Sequence, residues 1–252
     1  MTHRESTASD DFAWPAGKRA AVSLTFDDAR PTQLDRGVPI LDRHGVKGTF
    51  YVNFGGFEQR IDDWRSAVAN GHEIGNHSLA HPCSGNFPGG RGNALEDYSL
   101  ERMERELLDA GARIREAIGV EPVTFAYPCG QSFVGRGRGR KSYVPLVARH
   151  FLVGRGYRDE FVNDPSLCDL AMVGGTEGDG LSFDRLRAIT EQAASRGMWV
   201  VLAGHDVGDG GYQTTLADSL DRFCAYCRDP ANGLWIDTVA KIGQCVRDAR
   251  GH

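Results

Sequence analysis

The 252-residue chain carries 29 Lys and Arg against 34 Asp and Glu, a formal net charge of −5. With no long basic tract, that balance argues against nucleic acid as a partner, and no apolar run approaches the roughly 20 residues that a membrane-spanning helix needs. An apolar content of 40% with 25% charged residues is that of an ordinary globular protein with a core of useful size.

Residues 1–17 read as a polar arm closed by Trp14-Pro15-Ala16-Gly17. They lack the apolar stretch of a secretory leader, which points to the cytoplasm, with an extracellular destination only if export is directed otherwise. Six cysteines, at 83, 129, 168, 224, 227 and 245, are scattered through a chain too long to need staples, so reduced thiols are expected. Cys224-Ala-Tyr-Cys227 lies in a helical pattern and reads as two helix-face cysteines rather than a redox or zinc pair.

From residue 18 to 252 strand-like and helix-like segments alternate as one domain. Residues 20–26 form an apolar strand. Residues 31–43 have helical spacing, with Leu34, Val38 and Leu41 on one face, and Gly45 stops them. Residues 47–53 form a second strand, 61–70 a short helix, and Glu73-Ile74-Gly75 a third strand. A Gly-, Pro- and Asn-rich loop covers 82–93. The longest helix, 98–118, shows the stripe Leu100, Met103, Leu107, Ile114 and Ile118. Further strands are expected at 123–127, 150–153, 170–173 and 198–203, and further helices at 182–196, 215–228 and 238–248. This alternation implies a mostly parallel sheet covered by helices, of barrel type. In such folds chemistry gathers at the C-terminal ends of the strands.

The candidate residues fall at those ends. Asp27 and Asp28 close the first strand, where adjacent carboxylates cost free energy unless a cation or a proton-transfer task employs them. His77 and His81 follow the third strand, Tyr127-Pro128-Cys129-Gly130 the fourth, and His205 the last long one. Two neutral imidazoles and one carboxylate suit a divalent ion such as zinc. Asp28, His77 and His81 are then the ligands, and Asp27 is free to take a proton from an attacking water. His205 would protonate the leaving group, and the Cys129 backbone N–H would hold the oxyanion. Together these parts describe amide or ester hydrolysis. Each alone has a plainer reading: an Asp-Asp turn or cap, a spaced His pair, a structural histidine.

The order Thr25-Phe26-Asp27-Asp28, then His77-Ser78-Leu79-Ala80-His81, then Phe125-Ala126-Tyr127-Pro128-Cys129-Gly130, then a late strand ending in His205, resembles the polysaccharide deacetylases. These are the carbohydrate esterases of family four, or NodB-homology family, and the resemblance covers about residues 18–245. It implies an α/β fold, a distorted (β/α) barrel of about seven strands. It also implies a divalent ion, Zn2+ first with Co2+, Ni2+ or Mn2+ as substitutes, and removal of acetyl from N- or O-acetylated carbohydrate. Asp27 matches the family's base, Asp28, His77 and His81 its ligands, and His205 its acid.

The chain departs from the family in its third motif, where Ala126 replaces the arginine that tethers the base and Cys129 replaces an aromatic. The fourth motif has no clean match. Gly156-Tyr157-Arg158-Asp159 lies in the right region, with Arg158 the candidate replacement cation. The leucine expected near the acetyl methyl is Ala203. Tyr127, Arg158 and Trp64 are the candidate substrate contacts, Trp64 by stacking on a sugar or equally as core. Arg136-Gly-Arg138-Gly-Arg140-Lys141 reads first as a mobile, solvated loop and second as a contact for a phosphate or uronate. His72 and Glu73 read as strand-start residues.

The leading reading is therefore a metal-dependent deacetylase of carbohydrate. Its rivals are a hydrolase of the same fold acting on a small amide, imide or ureide, a non-catalytic sugar-binding protein that retains a metal, and an iron oxygenase.

Overall fold

The structure, a computed structural model, describes residues 12–251. Most of the polar arm, residues 1–11, lies outside the described residues. Its end packs onto the domain: Trp14 is buried, donates its indole N–H to the Gly197 carbonyl at 2.8 Å, and meets Trp235 edge-on at 6.0 Å. No helix among the described residues is long and apolar enough to cross a membrane.

Eight strands form one parallel sheet: β1 (Ala20–Asp27), β2 (Thr49–Val52), β3 (Glu73–Asn76), β4 (Thr124–Ala126), β5 (Val153–Arg155), β6 (Thr176–Glu177), β7 (Trp199–Gly204) and β8 (Leu234–Ile236). Their order is β5-β4-β3-β2-β1-β7-β6, and β8 pairs with the first residues of β1. Val173 bridges Arg155 on β5, and Thr176 and Glu177 then pair with Leu202 and Ala203 on β7. One extended segment thus touches both ends of the sheet and rounds it into the expected distorted barrel. The helices on its outside are α1 (Val38–Arg43), α2 (Ile61–Ala69), α3 (Leu100–Ile118), α4 (Val144–His150), α5 (Phe183–Ala194), α6 (Ala217–Arg228) and α7 (Val239–Ala249).

Strand alternation decides what faces the helices and what faces the barrel interior. On β1, Val22, Leu24 and Phe26 join the outer core with Leu41, Phe50, Trp64, Leu220 and Phe223. Ser23, Thr25 and Asp27 point the other way: Ser23 Oγ accepts from the Trp199 indole at 3.1 Å, and Thr25 Oγ1 donates to the Leu202 carbonyl at 2.9 Å. These two interior hydroxyls are paired, since an unpaired buried group costs desolvation energy. Glu73 shows this most clearly. Burial pushes its carboxyl up, and it accepts hydrogen bonds from Thr49 Oγ1 (2.9 Å), Thr124 Oγ1 and the Ala240 N–H at the start of α7 (2.9 Å).

Helix α3 begins where Ser99 accepts the Arg102 N–H and ends at Gly119, whose φ of 77° suits glycine. Its stripe of Met103, Leu107, Ala110 and Ile114 is fully buried. Trp64 also belongs to this outer core. It is fully buried, edge-on to Phe50 at 5.4 Å, and so does not stack on a substrate sugar.

Three expectations change. Residues 170–172 form a 3-10 turn rather than a strand, because Asp169 caps it by accepting the Ala171 N–H at 2.9 Å. The segment expected as a strand at 150–153 begins later, at Val153, after the Pro145-containing helix α4. Cys83 and Cys129 are not reduced thiols but a disulfide across 46 residues of sequence, worth about 4 kcal/mol on a chain-entropy account. Cys224 and Cys227 are free and buried on α6, as expected of helix-face cysteines.

Candidate active site

The site is built at the C-terminal rim of the sheet, where the inward-facing parity of several strands runs out. Asp27 ends β1 facing inward. The next residue would normally face outward, but Asp28 has a φ of 78° and turns its carboxylate back over the rim. His77 follows β3 with inward parity. Ser78 and His81 then adopt left-handed backbone, with φ of 63° and 46°. The turn between them is held by Asn76 Oδ1, which accepts the Ser78 N–H at 2.8 Å, and by Ser78 Oγ, which accepts the His81 N–H at 3.0 Å. Left-handed residues other than glycine cost about 1–3 kcal/mol each and gather where function fixes the backbone.

This folding brings three candidate ligand atoms together. His77 Nε2 and His81 Nε2 are 3.1 Å apart, and they lie 3.8 and 3.6 Å from Asp28 Oδ1. Two ligands of one tetrahedral zinc stand about 3.3 Å apart, so the set fits a single divalent ion. The ring of His77 is already oriented for it: Nδ1–H donates to the Ala126 carbonyl at 2.8 Å, leaving the Nε2 lone pair free. Burial, reinforced by the neighbouring His81 and Arg155, lowers the His77 pKa to about 4 against the pull of Asp27 and Asp28. His77 is therefore neutral at pH 7, the form that binds a metal. Asp28 also accepts from Asn53 Nδ2 at 2.9 Å and pairs with Arg30 at 3.2 Å. Burial pushes its carboxyl up, but the two histidines outweigh it and hold it below the ordinary value.

Asp27 stays outside this ligand set. One of its oxygens lies 4.0 Å from His77 Nε2, and the other accepts a hydrogen bond from Arg155 Nη2. Arg155 ends β5 and is fully buried, with Nη1 donating to the Gly156 carbonyl at 2.8 Å. Burial pushes the Asp27 carboxyl up, but Arg155, helped by His77 and His205, more than reverses it, so Asp27 is ionised at neutral pH. The Tyr51 ring lies 5.1 Å from the guanidinium carbon. Gly75 gives that ring its place, since a Cβ there would stand 2.5 Å from it.

His205 approaches from the far side of β1. Its Nδ1 is hydrogen-bonded to Asp179 Oδ2 at 2.7 Å, and Asp179 Oδ1 accepts from the His205 N–H at 3.1 Å and from Thr215 Oγ1 at 2.9 Å. The ring is thereby fixed with Nε2 facing away from Asp179, 3.3 Å from the Gln213 side-chain amide. Gln33 ties the ends of β1 and β7 together, its amide N–H group donating to the carbonyls of Asp27 (2.6 Å) and His205 (3.0 Å).

Sequence comparison adds to this geometry. Residues 15–135 match the polysaccharide deacetylase family. The chain is 33% identical over 98 residues to the chitooligosaccharide deacetylase of Sinorhizobium fredii, covering 38% of this chain and 40% of that protein. It is 32% identical over 115 residues to the uncharacterized protein YlxY of Bacillus subtilis, covering 46% of this chain and 30% of that one. A putative polysaccharide deacetylase from Mycobacterium smegmatis has the same fold, with a TM-score of 0.70 at 19% identity, over 96% of this chain and 95% of that one. Just under half of the chain is thus similar to the polysaccharide deacetylase family. The chain spans less than half the length of the two curated relatives.

Within that family frame, several residues sit elsewhere than the sequence suggested. The cation beside Asp27 is Arg155, not Arg158. Arg158 lies three residues past the end of β5, bonded to Glu177 Oε1 at 2.6 Å with its side chain largely exposed. Tyr127 is buried and donates its hydroxyl to the Ala171 carbonyl at 2.7 Å, so it is core rather than a substrate contact. Asp179, which no motif marked, is the acid paired with His205. Cys129 sits at the third-motif turn with a φ of 54°, held at the rim by its disulfide to Cys83. The segment Arg136–Lys141 is no free loop: it closes a two-stranded ribbon, with Arg136 paired to Asp97 and Arg140 lying 3.6 Å over the Phe133 ring.

A buried arginine needs a buried carboxylate, and that requirement was the available signal for Arg155. Its strand was expected to end at Val153 but runs Val153-Gly154-Arg155, so the arginine fell outside the expected element.

Proposed function

We propose that this protein is a metal-dependent hydrolase that removes acetyl groups from an N- or O-acetylated carbohydrate. One observation carries the reading above the rest: of two adjacent carboxylates, Asp28 faces two histidines at ligand distance while Asp27 is held apart on a buried arginine. A pure sugar-binding protein has no use for that division, nor for a histidine–aspartate pair facing it.

The donor set of one carboxylate and two imidazoles suits Zn2+, with Co2+, Ni2+ or Mn2+ as substitutes. Bound there, the ion supplies Lewis acidity, which makes water more acidic and polarises an acyl carbonyl. Asp27 takes the proton from the attacking water. Arg155 keeps Asp27 ionised until that moment and fixes which oxygen faces the substrate. His205 delivers a proton from Nε2 to the departing sugar amine or hydroxyl, while Asp179 on Nδ1 orients the ring and stabilises its charged form. The Cys129 backbone N–H is the candidate donor to the oxyanion. Ala203, where the family carries a leucine, leaves more room beside the acyl group.

The disulfide bears on where this happens. Structural disulfides persist in oxidising compartments, so Cys83–Cys129 favours an extracytoplasmic setting over the cytoplasm, and with it access to polymeric glycan.

The test is acetate release by the Zn2+-loaded protein from chitooligosaccharides and from acetylated xylan, with cyclic imides and ureides as comparison substrates. Acetate from a sugar supports the proposal. Turnover of imides or ureides with no acetate from any sugar would replace it with the small-amide reading.

A further inference from the structure

The two imidazoles of the metal site are steered by one short segment, but by different means. His77 is aimed by a hydrogen bond to the Ala126 carbonyl. His81 is partly exposed, and its Nδ1 faces a sulfur instead: Cys83 Sγ, at 3.7 Å. That sulfur is not free to move, because it is bonded to Cys129, three residues beyond Ala126. Neighbouring bonds carry the chain through the same crossing: the Leu95 N–H donates to the Cys83 carbonyl at 3.0 Å, and Gln131 Oε1 accepts the Ser84 N–H at 2.7 Å. The loop that carries His81 is thus fastened to the third-motif turn by one covalent bond, two residues from the ligand.

A ligating histidine generally needs a partner on its other ring nitrogen to fix its tautomer and direction. His81 has left-handed backbone and a side chain open to solvent on one side, so a fixed acceptor on Nδ1 matters more for it than for buried His77. With sulfur accepting from Nδ1–H, the Nε2 lone pair is directed at Asp28 and His77.

We propose that the Cys83–Cys129 disulfide is a positioning element of the metal centre, that it holds His81 in the ligand set, and that its reduction loosens the metal. The proposal rests on the reading of Asp28, His77 and His81 as ligands. The reductant is a small or protein dithiol. Its thiolate attacks the sulfur of Cys129, the less buried of the two residues, the Cys83–Cys129 bond breaks, and the resulting mixed disulfide is resolved by the second thiol. The dithiol becomes a disulfide, and Cys83 and Cys129 take up its two hydrogens as thiols.

The experiment is a Co2+ titration followed by the visible d–d absorption of the bound ion. It compares native protein, Cys83→Ser, Cys129→Ser, and native protein reduced with dithiothreitol and desalted under argon. Cys245→Ser, whose thiol is free on α7, is the control. Circular dichroism establishes that each sample is folded. If a serine variant does not fold, the reduced native protein decides.

We expect the reduced protein and both serine variants to bind Co2+ roughly 10–100-fold more weakly than native protein, the range for loss of an outer-shell partner, with the control unchanged. Thiol titration of the unfolded, unreduced chain should find only Cys168, Cys224, Cys227 and Cys245 reactive. Native affinity after reduction overturns the proposal, as do reactive thiols at Cys83 and Cys129 before it. Retained affinity with a new thiolate-to-cobalt charge-transfer band also overturns it, since sulfur would then be a ligand. Failure of Co2+ to bind native protein overturns the metal reading itself, and the proposal with it.

Discussion

Arg155 and Asp27, 128 residues apart in sequence, meet as a fully buried ion pair at the rim of the barrel. The pair answers a problem the first strand poses by itself. Two adjacent carboxylates in a buried place repel each other and resist leaving water. Asp28 is offset by two imidazoles and Asp27 by a guanidinium, so the two acids sit in different surroundings.

Replacing Arg155 with methionine should therefore act on both stability and rate. Breaking a buried ion pair by removing one partner costs about 3–5 kcal/mol. The Asp27 carboxyl, no longer held down, rises, and the acid limb of kcat/KM moves to higher pH. Urea denaturation checks the first effect and a pH–rate profile the second. An unshifted acid limb in a folded Arg155→Met protein would show that Arg155 does not tune the base.

Asp179→Asn should lower kcat by about 10²-fold or more while leaving Zn2+ content unchanged, because it disorients His205 without touching a ligand. Metal analysis and steady-state kinetics on the same preparation read both quantities. A loss of zinc would place Asp179 in a different role.

The metal-free protein should lose stability as pH falls from about 6.5 to about 4. His77 has its pKa lowered to about 4 in the folded state, chiefly by burial, while the unfolded chain titrates near 6.5. In that window the unfolded state binds the extra proton, so stability drops with falling pH, by on the order of 2–3 kcal/mol in total. Below about pH 4 the native state takes the proton as well, and this contribution is spent. Denaturant midpoints of the apoprotein across the window, compared with His77→Gln, isolate the effect: the variant should show a flatter profile.

Trp64→Ala should cost about 3–5 kcal/mol of stability, as for a large aromatic removed from a core, with KM unchanged in protein that remains folded. A raised KM at native stability would restore Trp64 to the substrate.

The parts of the site that were legible in the sequence share a cause. Asp27, Asp28, His77 and His205 each end or follow a strand-like run, so local pattern alone puts them on one rim. Arg155 and Asp179 gave no such mark. Arg155 closes a strand containing glycine, and Asp179 follows the two-residue strand β6, so only the tertiary fold shows them beside Asp27 and His205. Arg158 was the candidate because it lies in the fourth-motif region, but it stands past the end of β5 and pairs with Glu177 instead of Asp27. The Cys83–Cys129 bond was hidden for a related reason: cysteine count and chain length favour thiols, and a pairing across 46 residues has no local signature. Trp64 shows the opposite limit, since an aromatic on an amphipathic helix reads alike whether it meets a sugar or the core.

The central claim is that Asp28, His77 and His81 hold the metal while Asp27 moves the proton. The most direct measurement is zinc content and acetate release from chitooligosaccharide, determined together on native protein and on Asp27→Asn. The expected result is equal zinc in both, with acetate release reduced at least about 10²-fold in the variant. Full acetate release by Asp27→Asn, or loss of its zinc, would contradict the account.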